Sequence, residues 1–149
     1  MTEINIGGRV VPLSYSAYEM VAIQKEIGCT AFQLNDVVFG ITREENEEKP
    51  DEEPKIRIGV VNDADRLEKM GKLIAILGNA GLEESGQEGD LTAKWILRNM
   101  KPVMILIYAI AVMAVINAGN FMEAKEEEKT GEPVDAILEE EKAKKQQGS

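Results

Sequence analysis

The chain contains no histidine and only one cysteine, Cys29, in 149 residues. Without histidine there is no imidazole to act as a general base near neutral pH or to ligate a transition metal. A single thiol can build neither a cysteine-rich zinc site nor an internal disulfide, which suits a reducing cytoplasm. Cys29, beside Gly28, reads as a small buried hydrophobe rather than a nucleophile. The phosphate-cradling patterns GxxxxGK[ST] and GxGxxG are also missing, since Gly7-Gly8 and Gly71-Lys72 lack the surrounding residues. Ser14, Ser16 and Ser85 have no base nearby in sequence. Asp63 and Asp65 could form a carboxylate pair, but suit the start of a helix, where the dipole favours them. With neither nucleophile nor base signature, the expectation is a non-enzymatic protein with no cofactor and no metal.

Positive charge is scarce: 17 lysines and arginines face 27 acids, for a net charge of -10. Half of that excess lies in residues 41 to 54, where Glu44, Glu45, Glu47, Glu48, Asp51, Glu52 and Glu53 face only Arg43 and Lys49. Most of the rest lies beyond Glu123, so the remaining residues are almost neutral. Both acidic segments read as solvated tethers: a mobile loop at 41–55 and a tail at 123–149 that is either a solvated frayed end or a nascent helix that forms on a partner. With no basic patch, direct nucleic-acid binding is not expected. The opening MTEINIGGRV has no basic region followed by an apolar stretch, so no signal peptide is expected. The length fits one folded domain, placed here at 1–122.

What the chain does have is an uninterrupted apolar run, Val103 to Ile116, whose one strong hydrogen-bonding side chain is Tyr108. Pro102 opens it, and Gly119 is the expected close. A helix apolar all the way round cannot be covered by one packing partner. Leaving half of such a run wet forfeits about 1.5 to 3 kcal/mol per side chain, against a whole-domain stability of about 5 to 15 kcal/mol. The second face therefore needs an enclosed core, another subunit, a client protein or lipid. A run of this length is short of the roughly 18 to 25 apolar residues of a spanning helix, which argues against a membrane anchor.

Around that run the elements read in order. Glu3 to Ile6 and Arg9 to Leu13 alternate about Gly7-Gly8 as a hairpin with Ile4, Ile6, Val11 and Leu13 inward, and Pro12 at an edge or end. Ser16 with Glu19 makes a capping box for a helix carrying Ala17, Met20, Val21 and Gln24, ended by Gly28. Thr30 caps a short helix, Ala31 to Phe39, with Phe32, Leu34, Val37 and Val38 as its core side chains. Ile56 to Val60 alternates as a strand that would pair with the hairpin. Asn62 or Asp63 caps a helix with Leu67, Met70, Ile74 and Leu77 inward, ended by Gly78 and Gly81. Asp90 or Thr92 starts the next, with Trp95, Ile96 and Met100. The fold class expected is α+β, mainly α-helical, with the hairpin lying on a helical bundle.

The order INIGGRVVPLSYSAYEMVAIQKEIG, then AILGNAGLE, then DLTAKWILRNMKPVMILIYAIAVMAVINAG resembles the tail assembly chaperones of long-tailed bacteriophages and prophages. The resemblance covers roughly residues 3 to 120 in architecture and spacing, and departs from a minimal member in its acidic insertion and its very apolar last helix. It implies a self-associating cytoplasmic protein that keeps the tape measure protein soluble during tail morphogenesis and is absent from the mature virion. It also implies a second, frameshift-extended form that engages the tail tube protein, and Lys144-Lys145 could be encoded by a slippery adenine run. The alternatives are a structural tail or head-tail component of the virion, or a small membrane-associated regulatory protein.

For the apolar helix itself, the expectation is that Leu106, Ile110 and Met113 pack inward on Trp95 and the Leu67 to Leu77 helix. Met104, Tyr108, Ala111 and Val115 would then meet another copy or a client, so Tyr108→Glu would shift a soluble oligomer toward monomers. Val134, Ile137 and Leu138 form a second, narrower strip for partner binding in the tail.

Overall fold

A computed structural model describes residues 2–44, Glu48 and 55–122. The chain divides into two units, Met1–Ile116 and Asn117–Ser149, and of the second the described part is residues 117–122. The fold of the first unit is α+β and mainly helical, with the N-terminal hairpin packed on helices.

Strands β1 (Glu3–Ile6) and β2 (Arg9–Pro12) pair antiparallel, with Ile4 opposite Val11 and Ile6 opposite Arg9. The turn between them needs positive φ at both central residues, and Gly7 and Gly8 supply it at 61° and 79°. The alternation then drives Ile4, Ile6, Val11 and Leu13 into the core, and Pro12 is the last residue of its strand, opposite Glu3.

Helix α1 (Ala17–Ile27) starts at Ser16, whose backbone N–H and hydroxyl both donate to the Glu19 carboxylate, at 2.8 and 2.6 Å. Its inner face is Met20, Ile23 and Ile27. Ala17, Val21 and Gln24 point outward, one position away from the expected stripe. After a tight turn at Ala31–Gln33, the short helix α2 (Leu34–Val37) buries Leu34 and passes Val38 and Phe39 into the core. Phe32, expected inside, is 59% exposed, because the first turn is a tighter helix and rotates it off the α-helical face.

Strand β4 (Lys55–Ile58) pairs antiparallel with β3 (Ile41–Glu44) and not with the N-terminal hairpin. Both ends of the segment expected to be a mobile loop at 41–55 thus lie in a ladder. Residues 45–47 and 49–54 lie outside the described residues, as does the acidic tail at 123–149. The two small sheets are separate.

The longest element, α3 (Ala64–Glu84), is the centre of the fold, packing against α1, β2 and α4 (Ala93–Asn99). Asp63 caps it, accepting from the Arg66 N–H at 3.1 Å and pairing with the Arg66 guanidinium at 3.3 Å. Replacing this cap by alanine is expected to cost about 1 kcal/mol, read as a lower midpoint in urea unfolding at unchanged m-value. Gly78 and Gly81 do not end α3 but lie within it, and the helix closes at Ser85-Gly86, where Gly86 takes φ +80°. Thr92 rather than Asp90 caps α4, its hydroxyl accepting from the Trp95 N–H at 3.1 Å. Asp90 instead pairs with Arg9 at 2.9 Å, and that hydrogen bond holds its carboxyl below the usual range. Ile96 and Met100 of this segment are buried and Trp95 is half-buried.

Candidate functional site

The apolar run is helix α5 (Ile105–Asn117), entered through a tight turn at Pro102–Met104. Pro102 sits at the first position of that turn, where its missing N–H costs nothing. No break occurs at Gly119: helical geometry continues as a π-turn over Ala118–Met122.

Ile105, Tyr108, Ala109, Val112 and Ile116 are the buried face of α5 and belong to the common core. Met104, Ala111, Met113 and Val115 flank it, half-buried against the same core. The outer face is Val103 (80% exposed), Leu106 (42%), Ile107 (56%) and Ile110 (52%), with Ala114 continuing the line.

This arrangement overturns the expected faces of the helix. Tyr108 is 6% exposed, and its hydroxyl donates to the backbone carbonyl of Asn5 on β1 at 2.7 Å. A phenol gains by burial when its one polar atom reaches an acceptor, and the carbonyl supplies that. Tyr108 is therefore an anchor, not a contact for a partner, and Met104, Ala111 and Val115 flank it on the inner side. Leu106 and Ile110, expected to pack inward, face solvent, and Met113 is half-buried. Val134, Ile137 and Leu138 lie outside the described residues.

Along the outer face Val103, Ile107, Ile110 and Ala114 recur at spacings of four, three and four, a continuous apolar line with Leu106 beside it. Covering the exposed part of each large side chain is worth roughly 2 kcal/mol at about 25 cal/mol per Å². Just before the line, Lys94, Arg98 and Lys101 are exposed, and none of them pairs with a carboxylate among the described residues. The surface can thus bind an apolar helical partner and favours negative charge at one end. It presents no nucleophile and no acid–base pair.

No protein-family model, curated protein or solved structure matches this chain. The surface has to be read from its own chemistry.

Other sites offer less. A groove of about 300 Å³ between α1 and α3 is lined by Tyr18, Glu26, Lys72, Asn79 and Glu83, a mixture of charges that selects no ligand class. The hollow beside β3 and β4 contains Arg66, but that guanidinium is already bound to the Asp36 and Val37 carbonyls and to Asp63. Burial pushes the Cys29 thiol up from its ordinary value, against a smaller opposing effect of Lys69, which leaves it a poor nucleophile. Among the described residues no three potential metal ligands cluster.

From Pro102 to Phe121 the helical segment has 20 residues and a mean hydropathy of 2.1, long and apolar enough to cross a membrane by length and composition alone. The buried inner face of α5 is engaged with protein, so only one side of it is free for any other phase.

Proposed function

We propose that this chain is a non-enzymatic tail assembly chaperone of a long-tailed phage or prophage, self-associating in the host cytoplasm and holding the tape measure protein soluble until the tail tube forms. The observation that carries the reading is the one-sided outer face of α5. It is an aliphatic line on a helix anchored by its other side, which is what a holder of amphipathic helices presents. Methionines at its margins, Met104 and Met113, can repack against differing client helices. The acidic segments of the sequence fit a role in solubility, since net charge far from zero keeps assemblies apart in solution. The resemblance in element order adds the tape measure protein as client, with the tail tube protein reached through a frameshift-extended form.

The test is co-expression with the long helix-rich protein encoded downstream. The client is expected in the soluble fraction with this chain and in the pellet without it, and the Ile107→Glu, Ile110→Glu chain should lose most of the rescue. The coding DNA across Lys144-Lys145 gives an independent check: a slippery adenine run with an overlapping -1 frame supports the extended form. Finding the chain in purified virions would favour a structural tail component. Recovery of the chain with membranes would favour the membrane-associated alternative, with which the length and hydropathy of the Pro102–Phe121 segment are compatible.

A further inference from the structure

We infer that Lys94, Arg98 and Lys101 select and orient the client: the helix that fills the outer face of α5 carries a cluster of acidic side chains at one end and lies with that end over Lys101. The inference rests on reading that face as a client-binding surface, and it adds the chemistry of the client helix and its direction.

The aliphatic line supplies neither. Val103, Ile107, Ile110 and Ala114 stand at spacings of four, three and four, which read the same forwards and backwards. A repeat averaging 3.5 residues accepts any partner helix with an apolar stripe of its own, crossing at about 20°. Burial of aliphatic surface is non-directional, so the line attracts apolar helices without telling one from another, or one end of a helix from the other.

Charge breaks that symmetry. From Leu91 to Ile116 the chain has three cations and no acid, in a protein of net charge -10. Lys94 and Arg98 share one face of α4, four residues apart, and Lys101 comes two residues before Val103. All three are exposed, and whereas Arg9, Arg66 and Lys69 are held in ion pairs, these three have no carboxylate partner among the described residues. Solubility does not call for them, because the acids elsewhere already carry the net charge. The amino end of α5 adds the positive end of its dipole at the same place. Val103 to Ala114 as a helix measures about 17 Å. That is roughly twice the screening length of about 8 Å at physiological salt, so acids on a client are attracted at the Lys101 end and gain nothing at the Ala114 end. An anionic bilayer fits less well. A helix lying in a membrane surface carries cations along the flanks of its apolar face, and α5 has none over Ile105–Asn117.

The experiment uses the full chain and two synthetic amphipathic peptides of about 18 residues, with leucines at the four-three-four spacing. They are alike except that three surface positions of the last turn are glutamate in one and glutamine in the other. Fluorescence anisotropy at low salt is expected to give the glutamate peptide a Kd about tenfold lower, since each exposed pair contributes little and three act together. In the chain with Lys94→Gln, Arg98→Gln and Lys101→Gln that preference should vanish while the glutamine peptide binds as before, and any difference in helicity between the free peptides cancels in this comparison. Ile107→Gln with Ile110→Gln should instead weaken both peptides by the same factor, about tenfold or more. All five positions are exposed or half-solvated, and a circular dichroism melt checks that each variant is folded. Direction is read by oxidative cross-linking, with the unaltered chain and its buried Cys29 as background. A cysteine in the glutamate turn of the peptide should cross-link to Val103→Cys and not to Ala114→Cys, which lies beyond disulfide reach of that end. Equal affinity for the two peptides, a preference that survives the three glutamines, cross-linking at Ala114→Cys instead, or flotation with phosphatidylglycerol vesicles while neither peptide binds would each overturn the inference. If the charge preference stands and the downstream client still pellets, the chaperone reading alone fails; if the client is rescued and the two peptides bind equally, the inference alone fails.

Discussion

Gly81→Ala is expected to destabilise the protein by about 3 kcal/mol or more, although alanine is the better helix former by about 1 kcal/mol. Gly81 sits inside α3 where that helix passes the end of β2, and a Cβ built there would lie 1.9 Å from the carbonyl oxygen of Pro12 and 2.4 Å from its carbon. These are backbone atoms, and the chain there is tied on both sides. The Leu13 N–H donates to the Thr2 carbonyl at 2.8 Å, and the Ser14 N–H donates to the Leu77 carbonyl at 3.1 Å. A side chain could rotate away, but this strand end could move only by breaking those bonds. At Gly78 the same substitution would meet the Leu91 and Val11 methyls at 2.7 and 2.8 Å, which can yield in part, so its cost should be smaller. A calorimetric melt compares the two, and the Gly81 variant should fall by roughly 10 °C for a chain of this size. A Gly81→Ala protein melting with the wild type would show that α3 and β2 do not approach as described.

Tyr108→Glu is the second large effect, and its expected outcome is loss of the fold rather than loss of an oligomer. The phenol is 6% exposed and bonded to Asn5, so glutamate there would place an unpaired carboxylate in the core, at several kcal/mol. Tyr108→Phe keeps the packing and leaves the Asn5 carbonyl without its donor, which should cost about 1 to 2 kcal/mol. Ile107→Glu, one residue away but on the outer face, should leave stability within about 0.5 kcal/mol in the monomer. Chemical unfolding of the three variants at low protein concentration therefore tells the two faces of α5 apart. Equal losses at 107 and 108 would contradict the assignment of faces.

Much of the local structure was legible because it depends on neighbours in the chain. Gly7-Gly8 can hold two successive positive φ angles, so the hairpin and its inward side chains follow from a few residues. Ser16 with Glu19, Asp63 and Thr92 mark helix starts because each side chain meets a backbone group within three residues. Gly78 and Gly81 misled because glycine has two uses. A helix stop and a site of close helix–strand contact look alike until Pro12 is known to pass by. The pairing of β4 was misplaced for a similar reason: its partner, β3, lay at the edge of an acidic stretch read as loop.

The functional face was harder to read. Over Val103 to Ile116 no polar residue marks an outside, so periodicity carries no information about direction. Tyr108 was the one cue, and a hydroxyl is as well served by a buried carbonyl as by water. The sequence alone established that this chain has no histidine chemistry, no internal disulfide and an unbroken apolar run from Val103 to Ile116, because those are properties of the side chains present. Which side of that helix meets the core is set by where β1 places the Asn5 carbonyl, an acceptor 103 residues earlier in the chain. Contacts of that range are outside any local pattern, and this one leaves Val103, Leu106, Ile107 and Ile110 on the surface where a partner can reach them.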